Sequence, residues 1–92
     1  MPLISLDPDQ ADQCAARFTT AQQELADRLN QMSSASETLL ATWRGQSSTR
    51  YAAAWASQQQ RMQAILTDLN DLSQGLRTEA EEFRQADQMY GA

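Results

Sequence analysis

Apolar residues recur every three or four positions along most of this chain, and this spacing constrains its fold more than any other feature. Such a series forms a stripe down one side of an α-helix. Neither Gly nor Pro interrupts residues 9–44, so one unbroken helix is expected there. The positions of this first stripe are Ala11, Cys14, Phe18, Ala21, Leu25, Leu29, Met32, Ser36 and Leu39.

A second stripe with the same spacing fills the other half of the chain. Gly75 lies inside it and weakens the helix by about 1 kcal/mol relative to Ala. Val is absent and Ile occurs only at Ile4 and Ile65, whereas sheets usually contain more β-branched residues. The chain is therefore predicted to be all-α. The positions of the second stripe are Tyr51, Trp55, Gln58, Met62, Ile65, Leu69, Leu72, Leu76, Ala80 and Phe83.

Local sequence predicts where the first helix begins. Asp7 is a suitable N-cap, Pro8 suits the first helical position, and Gln10 stands where a capping box requires Gln or Glu.

The segment Trp43-Arg44-Gly45 marks the boundary between the two helices. Gly45 suits the left-handed conformation that terminates a helix, Arg44 suits the negative end of the helix dipole, and Ser47 or Ser48 can cap the next helix. A short connection makes the helices antiparallel neighbours. We expect a single helical-hairpin domain over residues 1–92, with helix 1 at about 8–43, the turn at 43–47, helix 2 at about 48–87 and a fraying tail at 88–92.

Two helices of this length cannot cover each other's apolar residues. Each is about 50 Å long, and the Leu-rich second helix has more apolar width than one neighbour can hide. A second hairpin would complete a four-helix bundle. Cys14 is interpreted as a small core residue. The predicted core and dimer face consists of Phe18, Leu25, Leu29, Trp55, Met62, Ile65, Leu69, Leu72 and Leu76.

Composition argues against several functional classes. The net charge is −5 without a basic cluster, which disfavours nucleic-acid binding. The absence of His and the single Cys leave no metal site or internal disulfide to expect. No catalytic constellation is recognisable, so neither an enzyme nor a cofactor is predicted. No apolar run is long enough to span a membrane, and the first ten residues lack the pattern of a Sec-type signal peptide.

An acidic helical hairpin with Trp43-Arg44-Gly45 at its midpoint resembles the WXG family of ESX (type VII) secretion proteins. The resemblance covers essentially the whole chain. It implies a protein secreted without a Sec signal peptide from a cytoplasmic pool, driven by an FtsK/SpoIIIE-type ATPase. It also implies an antiparallel dimer of hairpins, either a homodimer or a heterodimer with a related chain.

The family also carries a C-terminal export motif, Tyr-X-X-X-Asp/Glu, and this chain has Phe83 and Asp87 at the matching positions. Either Phe83 replaces the Tyr, or a partner supplies the full motif. In an antiparallel dimer, Phe83 and Asp87 of one chain would lie near Trp43 and Gly45 of the other. Trp43 can serve recognition, bury area at the end of the bundle, or do both.

Two other functions fit the same pattern. The chain could be a targeting factor or chaperone for a larger secreted toxin, which need not carry a complete export motif. It could also be a cytosolic coiled-coil adaptor, because the stripes by themselves do not require export.

Overall fold

The computed structural model describes residues 5–89, which form two long antiparallel helices. Helix α1 spans Pro8–Thr42, helix α2 spans Gln46–Met89, and no strand occurs in the described range. The hairpin measures 70 × 19 × 15 Å. The predicted all-α hairpin is confirmed.

The start of α1 is fixed by its predicted cap. Asp7 has extended backbone angles (φ −84°, ψ 106°), and its Oδ1 accepts hydrogen bonds from the backbone N–H groups of Asp9 (3.0 Å) and Gln10 (3.3 Å). Pro8 opens the helix, where its missing N–H has no helical partner to lose. The predicted Asp7 cap and the Pro8 start are confirmed.

The end of α1 depends on Trp43 and Gly45. Trp43 is extended (φ −93°, ψ 123°), so the helix stops at Thr42. Gly45 has φ +112°, a conformation that side-chain-bearing residues rarely adopt. The need for Gly at this position is therefore a backbone requirement, as its predicted left-handed role implied.

Gly45 also starts α2, which begins at Gln46 and not at about residue 48. Its carbonyl oxygen accepts from the backbone N–H of Thr49 (3.3 Å), which makes Gly45 the N-cap residue. The prediction that Ser47 or Ser48 caps α2 is wrong, because the Ser48 hydroxyl lies within the first turn and donates to the Gly45 carbonyl (2.7 Å).

The far end of α2 reaches Met89, so Gln88 and Met89 belong to the helix and not to the predicted tail. The remaining tail positions, 90–92, lie outside the described residues.

The contact between the helices is lined mainly by small side chains. Such residues let two helix backbones approach closely, but each buries little apolar area. The two larger buried side chains, Leu29 and Leu66, lie near the middle of the hairpin. The buried residues are Ala11, Ala15, Leu29, Leu66 and Ala80, together with the polar Ser36 and Ser73.

The interpretation of Cys14 as a core residue is wrong. Its side chain is exposed, because the next residue, Ala15, takes the inward position. Ala21, Met32 and Leu39 of the same predicted stripe are likewise exposed. The first stripe therefore coincides only in part with the surface that α1 presents to α2, at Ala11, Leu29 and Ser36.

Candidate functional site

The most distinctive surface of the hairpin is a set of large apolar side chains that the chain itself leaves exposed. We call this surface the apolar face. Its members have exposed fractions between 37% and 52%, which is high for such side chains in a folded protein. They are Met32, Leu39, Ile65, Leu72 and Phe83.

These five side chains lie on one side of the hairpin. Each of them immediately precedes a residue that faces the other helix; Ile65 precedes Leu66, for example, and Leu72 precedes Ser73. One step along an α-helix is a rotation of about 100°. Both helices are right-handed and run in opposite directions. The residues that precede inward positions on α1 and on α2 therefore lie on the same side of the plane that contains the two helix axes.

The opposite side of the hairpin is polar. The residues that immediately follow inward positions are rotated the other way, and those at Ser34, Thr67, Gln74 and Gln85 are all exposed and polar. The hairpin therefore has one face suited to association and one suited to water.

The residues predicted to form the core and dimer face divide between the contact of the two helices and the apolar face. Leu29 is buried between the helices, with 3% of its surface exposed. Ile65 and Leu72 belong to the apolar face. The other predicted members are half-buried at the border between the two: Phe18, Leu25, Trp55, Met62, Leu69 and Leu76.

A pair of hydroxyls, on the buried Ser73 and the half-buried Thr19, fixes the relative position of the helices. The Ser73 hydroxyl donates to the Ala15 carbonyl (2.9 Å) and lies 2.8 Å from the Thr19 hydroxyl. The Thr19 hydroxyl lies 3.2 Å from the same carbonyl, so the two hydroxyls and the Ala15 carbonyl form one network in which each hydroxyl donates a single hydrogen. Sequence reasoning missed this network, although Ser73 interrupts a run of apolar positions on α2.

Two further polar contacts join the helices nearer the turn. The Ser36 and Tyr51 hydroxyls lie 2.6 Å apart, and the Gln59 side-chain amide donates to the Ser33 hydroxyl (2.8 Å). Directional contacts of this kind specify which residues of the two helices lie opposite each other.

An ion-pair cluster joins the helices at the open end of the hairpin. Arg84 Nη2 contacts Asp12 Oδ2 (2.8 Å) and Asp9 Oδ1 (2.9 Å). The hydrogen bonds to Asp12 and then to Asp9 raise the pKa of Arg84 above its ordinary value. Arg84 lies inside the predicted export motif, and its side chain is used within the fold.

The turn carries the Trp-X-Gly motif. Trp43 is half-buried, and its ring packs against Tyr51 with centroids 5.6 Å apart and planes tilted by 41°. Arg44 is exposed, and its Nη1 lies 3.4 Å from the carbonyl oxygen of Leu40, within the last turn of α1. Trp43 thus contributes to packing and still presents surface to solvent.

The two predicted recognition elements lie at opposite ends of one chain. Phe83 and Asp87 are both exposed and one helical turn apart, so they share a face of α2. From the start of α2 to Phe83 is roughly 55 Å along the helix. One hairpin therefore does not bring Phe83 and Asp87 together with Trp43 and Gly45.

Two further findings concern residues 5–89. Neither helix is long and apolar enough to cross a membrane. Within this same range, no three His, Cys, Asp or Glu side chains converge as a metal site.

Known proteins share both the sequence pattern and the fold. The family described as "Proteins of 100 residues with WXG" (WXG100) matches residues 3–88. Crystal structures of a secreted protein EsxB from Bacillus anthracis have the same fold. The wild-type structure has a TM-score of 0.83 at 24% identity and covers 91% of this chain and 90% of that chain.

Two other EsxB structures agree with this. A selenomethionine-labelled form has a TM-score of 0.81 at 24% identity, covering 95% of this chain and 99% of that one. A point mutant has a TM-score of 0.80 at 25% identity, covering 91% and 97%. A search of curated proteins found no match.

The family match extends over most of the chain, and Trp43 and Gly45 occupy the turn between two long helices. This chain belongs to the WXG100 family.

Proposed function

We propose that this chain is a small, non-enzymatic substrate or secretion partner of an ESX (type VII) secretion system, exported from the cytoplasm as a dimer of hairpins. The observation that carries the proposal is the WXG100 hairpin with its exposed apolar face. The structurally similar EsxB of Bacillus anthracis is a secreted protein, which supports export of this chain.

The apolar face supports the dimer. Five large apolar side chains are exposed, and the buried core is made mainly of Ala and Ser. Exposed apolar patches of this kind mark association surfaces. The apolar face of a related hairpin is the natural cover, because its length and chemistry match.

The distance between the end motifs supports a composite export signal. Trp43 and Gly45 lie at the turn, while Phe83 and Asp87 lie roughly 55 Å away on α2. An antiparallel dimer sets the turn of one chain beside the open end of the other. An FtsK/SpoIIIE-type ATPase that reads all four residues would then select assembled dimers over single chains.

Export from the native host tests the proposal. The chain should appear in the culture filtrate and should stay in the cells when the ESX ATPase is deleted; unchanged export after this deletion would contradict the proposal. Trp43→Ala should abolish export, whereas Thr42→Ala, at the exposed neighbouring position, is the control and should leave export unchanged. Phe83→Tyr restores the family motif and should leave export unchanged or increase it.

Complementation tests the composite signal directly. A Trp43→Ala chain and a chain carrying Phe83→Ala with Asp87→Asn should each fail to be exported alone. Co-expressed, they form mixed dimers in which one of the two composite sites is intact, so export should return. If mixed dimers form without export, the signal must lie within one chain.

A further inference from the structure

A shallow apolar groove lies on α2 beside the apolar face, and its partner can be inferred from the charges around it. We call it the Gly75 groove. Gly75 leaves its floor open, because a Cβ built there meets nothing within 4 Å. The groove is lined by Asp68, Asp71, Leu72, Gly75, Leu76 and Glu79.

The groove suits a long cationic side chain. Leu72 and Leu76 offer apolar contact to an aliphatic stem, and Asp68, Asp71 and Glu79 surround them with carboxylates. Arginine combines a flexible apolar stem with a charged, multiply donating head. Among the described residues the ion pairs are those of Arg84 with Asp9 and Asp12, so no cation of the same hairpin occupies the groove.

Arg61 is positioned to enter the groove of a second copy. It is exposed and immediately precedes the half-buried Met62, which places it on the same side of α2 as Ile65 and Leu72. It does not serve its own groove, because Gly75 at the centre of the groove lies fourteen residues, about 21 Å, further along the helix.

The length of α2 determines where this Arg would lie in a two-fold pair. If two α2 helices overlap fully and antiparallel, Gln46 of one copy lies beside Met89 of the other. Positions that face each other then have numbers that total 135, since 46 and 89 do. Arg61 of the second copy faces position 74, next to Gly75. Symmetry repeats the contact, so each dimer contains it twice.

We propose that the Gly75 groove binds Arg61 of a second copy of this chain, so that the chain forms a homodimer whose antiparallel register is set by two symmetric Arg61 contacts. This inference deepens the proposed function, on which it rests for the use of the apolar face. It identifies the partner as a second copy and the groove as the element that selects it.

Charge reversal tests the contact. Arg61→Glu alone, and Asp68→Arg with Asp71→Arg alone, should each raise the dimer dissociation constant by about tenfold, because two ion-pair sites are lost per dimer. Combining all three substitutions restores opposite charges and should bring the constant back to near the original value. Absence of this rescue would overturn the proposal. Sedimentation equilibrium supplies the constants, and circular dichroism checks that each variant is helical.

Filling the groove gives an independent test. Gly75→Leu adds a better helix former in open space, so the helical content should not fall at concentrations where the variant is still dimeric, while its dimer dissociation constant should rise. Unchanged dimerisation with this variant would contradict the proposed contact.

Arg17→Glu is the control for a different arrangement. In a dimer with both turns at the same end, α1 of the second copy would lie over α2, and Arg17 would approach the groove. If Asp68→Arg with Asp71→Arg restored the dimer dissociation constant of Arg17→Glu and not that of Arg61→Glu, the dimer would have both turns at the same end and the antiparallel register would be refuted. A chain that is monomeric alone and pairs only with a different protein would refute the homodimer and leave the export proposal standing. If the charge-reversal rescue of Arg61→Glu succeeded but export did not depend on the ESX machinery, the export proposal would be refuted and the homodimer would stand.

Discussion

At the scale of single residues, the Ser73 hydroxyl is the best example of a contact that holds the helices in place. Only 3% of the surface of Ser73 is exposed, and its hydroxyl donates to the Ala15 carbonyl and shares a hydrogen bond with the Thr19 hydroxyl. An intramolecular hydrogen bond of this kind contributes about 1 kcal/mol to stability.

Ser73→Ala should therefore lower the free energy of unfolding by about 1 kcal/mol, measured by chemical denaturation at fixed protein concentration. Thr19→Val removes the neighbouring hydroxyl with little change in shape. The double variant should cost less than the two single changes added together, because the hydroxyls share one network. Ser57→Ala, at an exposed position of α2, is the control, and an equal loss there would contradict the assignment.

Residue-level predictions succeeded where the determining interactions are local. Asp7 was identifiable as an N-cap because the groups it satisfies are two and three residues away. Cys14 was misplaced because its burial depends on how α1 is rotated against α2. Ala15, which takes the inward position, is too weakly hydrophobic to be distinguished by pattern.

At the scale of helices, large and small apolar residues have separate roles. Small residues such as Ala15 and Ala80 face the other helix, whereas large ones such as Ile65 and Leu72 face outward. A stripe drawn by hydrophobicity merges these neighbouring faces into one. The sequence therefore predicted both helices and the excess of apolar surface, but not which residues lie inside the hairpin.

The two glycines of the described range should respond to substitution in opposite ways. Gly75→Ala should raise the free energy of unfolding by about 0.5–1 kcal/mol, because Ala is the better helix former and its methyl group meets no neighbour within its own hairpin. Gly45→Ala should lower it, because φ is +112° at that position. Thermal unfolding of both variants at one protein concentration would measure the two changes. A change of the same sign in both variants would contradict the different backbone roles given to Gly45 and Gly75.

Arg84 should control how firmly the open end of the hairpin closes. Arg84→Gln removes the contacts to Asp9 and Asp12, so hydrogen exchange should quicken in the first turns of α1 and the last turns of α2, with little change near the turn. Arg77→Gln is the control at an exposed Arg on the same helix. Because folding raises the pKa of Arg84, its charge contributes fully to stability below the pKa of the unfolded chain. This contribution is lost only at strongly alkaline pH. Equal exchange in the two variants would show that the ion pairs do not close this end.

At the scale of the whole molecule, the hairpin does not cover its own apolar surface. Both long helices place exposed apolar residues on one side, and the large apolar side chains buried within the described part of the chain are Leu29 and Leu66. A core of this kind gives little stability to a chain of this size. The predicted need for a second hairpin follows from this imbalance, which is visible in the sequence as extra apolar width. The common side of the apolar residues becomes apparent only once the helices are known to be antiparallel.

The most direct test of the account follows mass and helical content together in one dilution series, by light scattering and circular dichroism. The account predicts a species of twice the 10.3 kDa chain mass at high concentration, with helical content falling as the dimer dissociates. A monomer that keeps its full helical content on dilution would contradict the central claim, because the apolar face would then need no cover.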